Sequence, residues 1–253
     1  MSIFKTILNT IPRSVLIKIS LWLRPLLVLW YRGNTYTDPI DGRFYRKFLP
    51  YGYQEQRPNV LAPGTLSLER HRLLWLFLQN ETSFFSDSLK VLHIAPEQAF
   101  YKRFKKMPSL DYITADLYSP IADIKADITQ LPFDDNTFDV IFCNHVLEHI
   151  PDDTKAMQEL YRVLKKGGWG IFQVPQDLNK EKTYEDSRIT DPKERARHFG
   201  QYDHVRIYGR DYFARLEAVG FSVELIDYSK KLAPELFDKY RLAKGELLPV
   251  CRK

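Results

Sequence analysis

The sequence predicts an α/β fold with a doubly wound, mostly parallel, seven-stranded sheet. Short apolar runs typical of buried strands recur between residues 89 and 251, and segments with helical periodicity lie between them. Alternating strands and helices are typical of parallel sheets with right-handed crossovers. Since such sheets bind ligands at the carboxyl ends of their strands, we expect the functional residues there.

Local patterns predict the individual elements in order. Strands are expected at residues 89–94, 111–115, 138–143 and 169–174, near 124–126, and in the final segments "SVELIDY" and "ELLPVCRK". Helices are expected at about 97–106, 145–150, 153–165 and 208–219, the last ending at Gly220. An earlier helix in "SLERHRLLWLFL" is expected to use Ser67 as its N-cap.

Composition divides the chain into three parts: residues 1–32 are basic and apolar, residues 33–66 are rich in turn formers and aromatics, and residues 67–253 contain the sheet. Within the last part, the polar stretch 176–207 is long for a connection and predicts a lid. The formal charge of +5 indicates an anionic partner only weakly. Two cysteines are too few for a disulfide framework, so we expect a cytoplasmic location.

The amino-terminal segment 1–32 contains five basic residues and no acidic ones. Its longest charge-free run is seven residues, far below the ~20 that a membrane-spanning helix needs. Apolar residues recur at three- and four-residue spacing after Pro12, which predicts an amphipathic helix. Two interpretations stay open: a helix lying peripherally on an anionic membrane surface, on its inner face, or a terminal helix docked on the protein's own core.

Four motifs carry a family resemblance: "VLHIAPE", "ADLYSP", "LPFDDNTFDVIFCNHVLEHI" and "ELYRVLKKGGWGIFQVP". Together they resemble the class I S-adenosylmethionine-dependent methyltransferases, over residues of about 89 to 251. The third and fourth are most similar to the branch that methylates small molecules, quinones and lipids. The resemblance implies a Rossmann-like fold, S-adenosylmethionine as cofactor, and methyl transfer to a small-molecule or lipid-like acceptor.

The resemblance also implies cofactor-binding positions. Asp116 would accept both ribose hydroxyls, Asp127 would lie near the adenine amino group with Ile128 against the ring, and Asn144 would face the crevice. An acid after a strand is otherwise often only a turn former. The family's first turn is commonly glycine-rich, but Ala95, Pro96 and Glu97 fill it here, with His93 in place of an acid. We expect Glu97 to bind the cofactor's ammonium group, and loss of cofactor binding is the alternative.

Candidate catalytic residues on the acceptor side are His145, His204 and Tyr208, and Arg206 is a candidate for holding an anionic acceptor. Taken one at a time, the histidines are more often structural.

Residues 36–75 resemble the leader of a methyltransferase subgroup in which paired cysteines build a zinc knuckle. The corresponding positions hold Asp38, Asp41, Ala62 and Thr65. Since tetrahedral zinc sites need four thiolate or imidazole donors, we expect no metal, and a remnant held by its aromatic residues.

Other functions are open to different degrees. Methylation of RNA or protein is one alternative, but "NHVLEHI" replaces the Asn-Pro-Pro-aromatic turn of enzymes that methylate base amines, so nucleic acid is a less favoured partner. A nicotinamide oxidoreductase would need a glycine fingerprint at the first turn. A non-enzymatic, membrane-associated protein on a decayed methyltransferase fold is the remaining alternative.

Overall fold

A computed structural model describes residues 24–52 and 56–253. Most of the predicted amino-terminal amphipathic helix, residues 1–23, lies outside the described residues, and residues 24–30 are helical. Within the described residues, every helix is too short or too polar to cross a bilayer. The chain forms two compact units: residues 1–82, 98–100 and 229–246 make the first, and residues 83–97, 101–228 and 247–253 the second. The expected domain limits, 1–32, 33–66 and 67–253, remain predictions.

The first unit consists of short antiparallel strand pairs and helices. Its elements are strands β1 (Arg32–Thr37), β2 (Phe44–Tyr45), β3 (Leu49–Tyr51) and β4 (Arg57–Leu61), and helices α1 (Glu69–Glu81) and α6 (Pro234–Tyr240). Strand β1 pairs with β2, and β3 pairs with β4. The N-cap of α1 is Leu68 rather than the predicted Ser67, and the backbone N–H of Leu68 donates to Nδ1 of His71.

Hydrogen bonds connect Asp38 and Thr65, two of the four positions that in sequence resemble the cysteine positions of a zinc knuckle. Both Thr65 Oγ1 and Ser67 Oγ donate to Oδ2 of Asp38, and the backbone N–H of Ile40 donates to Oδ1 of Asp38. Burial, followed by the charge of Asp41, raises the pKa of the Asp38 carboxyl. A small apolar cluster of Tyr45, Phe48 and Ala62 lies in the same unit. Aromatic packing, which the sequence predicted, is therefore joined by a buried polar network that it did not.

Arg72 is the largest fully buried side chain among the described residues, and it lies on α1. Its guanidinium donates to four backbone carbonyls, those of Val60, Ser67, Tyr240 and Arg241, and to Ser67 Oγ. Burial lowers the pKa of Arg72 to about 10, so the group stays charged at neutral pH. Arg72 thus connects segments far apart in sequence within this unit.

The second unit is built on one seven-stranded sheet, which confirms the predicted fold class. Its strands are β5 (Leu89–Ile94), β6 (Leu110–Asp116), β7 (Ile124–Lys125), β8 (Phe138–Cys143), β9 (Leu164–Ile171), β12 (Ser222–Ile226) and β13 (Leu248–Arg252). They follow the spatial order β12-β13-β9-β8-β5-β6-β7. The pairs β12–β13 and β13–β9 are antiparallel, and the other four pairs are parallel. The central pair β5 and β8 carries almost fully buried side chains, as expected for a sheet covered on both faces.

The helices differ from the predicted limits by up to two residues at their ends and by up to four at their starts. They are α2 (Gln98–Phe104), α3 (Asp153–Val163), α4 (Pro192–Phe199) and α5 (Tyr212–Val219), and residues 147–149 form a 3₁₀ turn rather than the predicted helix 145–150. Strand β9 begins five residues before the predicted start at 169, because Leu164 already pairs with Phe138 of β8, ahead of an irregularity in register before Trp169. The predicted lid 176–207 contains α4 and the strand pair β10 (Tyr184–Glu185) with β11 (Arg206–Ile207).

Candidate functional site

The predicted site residues lie at the carboxyl ends of adjacent parallel strands. Ala95 follows β5, Asp116 is the last residue of β6, and Asn144 follows β8. Parallel pairing of β5 with β6 and with β8 brings these three ends to one edge of the sheet. This edge is where doubly wound sheets bind ligands.

Ala95 adopts the backbone conformation that explains why related turns carry glycine. Its φ is +50°, in the left-handed region, and its N–H donates to the carbonyl of Ala115 at the end of β6. An L-residue in this region is strained by about 1–2 kcal/mol, whereas glycine adopts it without a Cβ clash. The turn therefore keeps a glycine-like path while carrying only a methyl group.

Replacing Ala95 with glycine is expected to leave stability unchanged or to raise it by up to about 1 kcal/mol, because relief of strain outweighs the extra flexibility of the unfolded chain. Thermal or urea unfolding measures the change. The matched control is Ala115→Gly, in which a fully buried residue of β6 loses its methyl group and the protein should be destabilised. Equal destabilisation of both variants would contradict the assigned strain.

A polar bridge connects the first turn to the end of β8. Asn144 donates from Nδ2 to Oε2 of Glu97 over 3.1 Å, and its Oδ1 accepts from the backbone N–H of Gln173 over 3.2 Å. Asn144 is buried, and the Glu97 side chain is 11% exposed. The bridge holds a carboxylate at the turn where the cofactor's ammonium group is expected.

His93 lies behind this carboxylate, inside the sheet's core. It is fully buried, its Nδ1 lies 2.8 Å from the hydroxyl of Tyr112, and its Nε2 lies 3.8 Å from Oε2 of Glu97. The rings of Phe104 and Phe142 pack against it. His93 is therefore placed to position Glu97 rather than to contact a ligand itself.

Asp116 presents one carboxylate oxygen rather than two. Its Oδ1 accepts from the backbone N–H groups of Tyr118 and Ser119, both at 2.6 Å, and within the described residues Oδ2 accepts no hydrogen bond. Ribose hydroxyls would thus share Oδ2. Two neighbours that sequence reasoning missed, Leu117 and Tyr118, are exposed apolar side chains beside this carboxylate, and Tyr118 is 87% exposed. The signal was an apolar pair directly after the strand.

Asp127 and Ile128 follow the short strand β7. Asp127 Oδ1 accepts from the N–H and the hydroxyl of Thr129, both at 2.8 Å, and these hydrogen bonds lower the pKa of Asp127. The side chain itself is exposed. Ile128 packs into the main apolar core of the sheet domain and is 5% exposed, so it offers little surface to a ring.

The three acceptor-side candidates differ in what they can reach. His145 is partly exposed, and its φ is +55°. His204 is buried, with Nδ1 against the carbonyl of Phe199. Tyr208 is completely buried and donates to Oδ2 of Asp153 over 2.7 Å, and burial raises the pKa of its hydroxyl. Of the three, His145 is the most accessible.

Arg206 donates most of its hydrogen bonds to the protein's own backbone. Its guanidinium donates to the carbonyls of Leu147, Ile150 and Pro151 and to the carboxylate of Glu185. The residue is 3% exposed. It therefore fixes the turn after β8 against β10 and β11 and has little capacity left for an anionic acceptor.

Comparison with known proteins finds a family model that matches part of this sheet. The family described as "Methyltransferase domain" matches residues 87–172, the stretch from β5 to β9. An uncharacterized protein of Methanocaldococcus jannaschii is 46% identical over 68 residues, which are 26% of this chain and 30% of that protein. The ubiquinone/menaquinone biosynthesis C-methyltransferase UbiE of Idiomarina loihiensis is 51% identical over 45 residues, 18% of each chain.

Sterol 4-C-methyltransferase strm-1 of Caenorhabditis elegans is 42% identical over 62 residues, 24% of this chain and 18% of that protein. The chain thus spans less than a third of the length of these curated relatives. The family match falls on the strands and turns that carry Ala95, Asp116 and Asn144. It agrees with the resemblance drawn from the motifs: residues 87–172 match a methyltransferase domain.

Proposed function

We propose that the protein transfers a methyl group from S-adenosylmethionine to a small-molecule or lipid-like acceptor close to the inner face of a membrane. The observation that carries this proposal is the set of polar groups at one edge of the sheet, above all Glu97 with Asn144 and the open oxygen of Asp116. When bound, the cofactor supplies an electrophilic sulfonium methyl group.

The residues at this edge fit the cofactor in charge and in size. Asp116 Oδ2 is an acceptor for ribose hydroxyls, Glu97 is an anion for the ammonium group, and Ala95, at the left-handed position of the turn, carries only a methyl group. Carboxylates that accept hydrogen bonds from charged or hydroxyl donors are strong anchors. Methyl transfer itself depends mainly on holding acceptor and methyl group in line.

The acceptor class is inferred from the relatives and from the site. The matched relatives are named for quinone and sterol methylation, and those acceptors are apolar small molecules. His145, at the end of β8, is the partly exposed candidate for orienting or deprotonating such an acceptor. Because Tyr208 and His204 are buried, their proposed catalytic role is limited to supporting the shape of the site.

An exposed apolar face in the first unit supports the membrane part of the proposal. Leu26, Leu29 and Trp30 are 62%, 68% and 72% exposed, and their spacing puts them on one side of the helical residues 24–30. Arg46 lies 5.6 Å from the ring centroid of Trp30. Apolar and aromatic side chains beside basic residues are typical of helices that lie in a membrane interface.

Replacing Leu26, Leu29 and Trp30 together with serine should reduce sedimentation with anionic vesicles, while cofactor binding stays intact. Burying even one such side chain contributes about 1.5–3 kcal/mol, so affinity should fall by more than about tenfold. Binding of the unchanged protein should also weaken as salt rises. The control is Leu178→Ser, an exposed leucine of the second unit. The membrane assignment fails if the intact chain ignores anionic vesicles at low salt.

The function is tested by incubating the full chain with S-adenosylmethionine labelled in its methyl group and with fractionated cell extract. Label should appear in the lipid or small-molecule fraction. Label in RNA or protein instead would favour those acceptors. If the chain bound the cofactor but transferred label to no fraction, it would be a cofactor-binding protein rather than a methyltransferase. Calorimetry that finds neither S-adenosylmethionine nor its demethylated product bound would refute the enzyme proposal.

A further inference from the structure

Three side chains with metal-binding atoms lie close together in the second unit: Glu148, His149 and His204. We call them the His/Glu cluster. Their donor atoms lie within 4.8 Å of one another. Glu148 and His149 belong to the 3₁₀ turn that follows β8, and His204 lies just before β11. Within residues 24–52 and 56–253 this is the one group of three or more such side chains with donor atoms this close.

Both imidazoles are oriented by backbone carbonyls. His149 Nδ1 lies 3.2 Å from the carbonyl oxygen of Asp203, and His204 Nδ1 lies 3.2 Å from that of Phe199. A carbonyl can only accept, so each Nδ1 carries the proton, and each neutral ring keeps its lone pair on Nε2. Metal-binding histidines are held in the same way, by an N–H donated to a carbonyl or carboxylate.

The carboxylate of Glu148 is buried without a compensating cation. The residue is 2% exposed, and within the described part of the chain its Oε2 accepts no hydrogen bond and no lysine or arginine lies within 4.0 Å of it. Its Oε1 lies 3.5 Å from Nδ1 of His145. A buried carboxylate oxygen without a partner is unfavourable, and a bound cation would satisfy it.

From this arrangement we propose that Glu148, His149 and His204 bind one divalent transition-metal ion, with His145 next to the Glu148 carboxylate. Two imidazole nitrogens and one carboxylate oxygen suit Zn²⁺, Co²⁺, Mn²⁺ or Fe²⁺, whereas Mg²⁺ prefers oxygen donors throughout. The expectation of a metal-free chain came from the knuckle positions, and the His/Glu cluster lies in a different unit. Ion binding here does not depend on methyl transfer.

The test uses the full chain, prepared without a metal-binding tag and dialysed against a chelator. We expect titration with Co²⁺ to give a visible absorption band that saturates at one ion per chain, with Zn²⁺ abolishing it by competition and Mg²⁺ leaving it unchanged. Zn²⁺ should also raise the melting temperature, since an ion that binds only the folded state stabilises it.

Three variants make the assignment specific. Glu148→Gln keeps the side-chain shape and removes the charge, and His149→Gln and His204→Gln each remove an imidazole. Each should weaken Co²⁺ binding by more than the roughly 10–100-fold that changes around a metal's ligands cost. The control is His198→Gln, whose ring pairs with Tyr184 outside the cluster, and it should bind as the unchanged protein does.

The proposal is overturned if the unchanged chain binds no Co²⁺ or Zn²⁺, which would leave Glu148 as a partner of a protonated His145. It is equally overturned if a folded Glu148→Gln variant still holds one ion per chain, because the ion would then lie elsewhere. Circular dichroism establishes which variants are folded. His149, whose side chain is 32% exposed, is the position where substitution disturbs packing least.

Discussion

Replacing Asp116 with alanine is expected to weaken binding of S-adenosylmethionine and of its demethylated product by tens of times to about a hundredfold. The carboxylate offers Oδ2 to the ribose, and losing a hydrogen bond to a charged group costs about 2–3 kcal/mol. The backbone N–H groups of Tyr118 and Ser119 lose their acceptor as well, but the N–H of Tyr118 is exposed and can be solvated. Calorimetry with the purified protein measures the affinity.

Two further variants distinguish loss of the contact with the cofactor from disturbance of the turn after β6. Asp116→Asn keeps a neutral oxygen for the turn and should lose most of the affinity with little change in melting temperature. Asp111→Ala, near the start of the same strand, removes an exposed carboxylate that pairs with Lys90, and this variant should bind the cofactor normally. If Asp116→Ala bound as tightly as the unchanged protein, the cofactor would not use this strand end.

Replacing Arg72 with methionine is expected to lower the free energy of unfolding of the first unit by about 3–5 kcal/mol. The change removes a fully buried charge whose guanidinium satisfies four backbone carbonyls, and each buried carbonyl left without a donor costs about 1–3 kcal/mol. Breaking one side of a buried charged network typically has this size of effect. Urea unfolding, followed by the fluorescence of Trp75 on α1, measures it.

The matched control for Arg72 is Arg57→Met in the same unit. Arg57 is 53% exposed and pairs with Glu69 over 2.6 Å, so its loss should change stability by less than about 1 kcal/mol. Equal effects of the two substitutions would mean that the Arg72 network adds nothing beyond an ordinary surface contact.

The sheet could be predicted because several of its strands are recognisable in the sequence as short apolar runs. Strands β5 and β8 occupy the predicted residues 89–94 and 138–143, since both are short, mostly apolar runs. The start of β9 was predicted too late because "LKKGG" has no apolar pattern, and of these residues only Leu164 pairs with β8. Helix α4 was missed, although Asp191 before Pro192 and Gly200 after Phe199 are ordinary helix-boundary signals.

The sequence predicted where the site residues lie in the sheet better than it predicted which groups they contact. Strand ends located Ala95, Asp116 and Asn144 correctly at one edge of the sheet, because pairing direction alone decides that. Burial is a property of the whole fold, and this is why the sequence did not reveal that His93 and Tyr208 are enclosed. Arg72 shows the same limit, because two of its acceptors, the carbonyls of Tyr240 and Arg241, lie more than 160 residues away.

The hydrogen-bonded positions Asp38, Thr65 and Ser67 have a consequence for how the first unit responds to its surroundings. A cysteine knuckle opens when chelators remove its ion or when oxidants convert its thiolates. A carboxylate held by two hydroxyls and a backbone N–H has no thiol to oxidise and no ion to release. This segment can therefore keep its shape through metal starvation and peroxide stress, conditions that open a zinc knuckle built from cysteines.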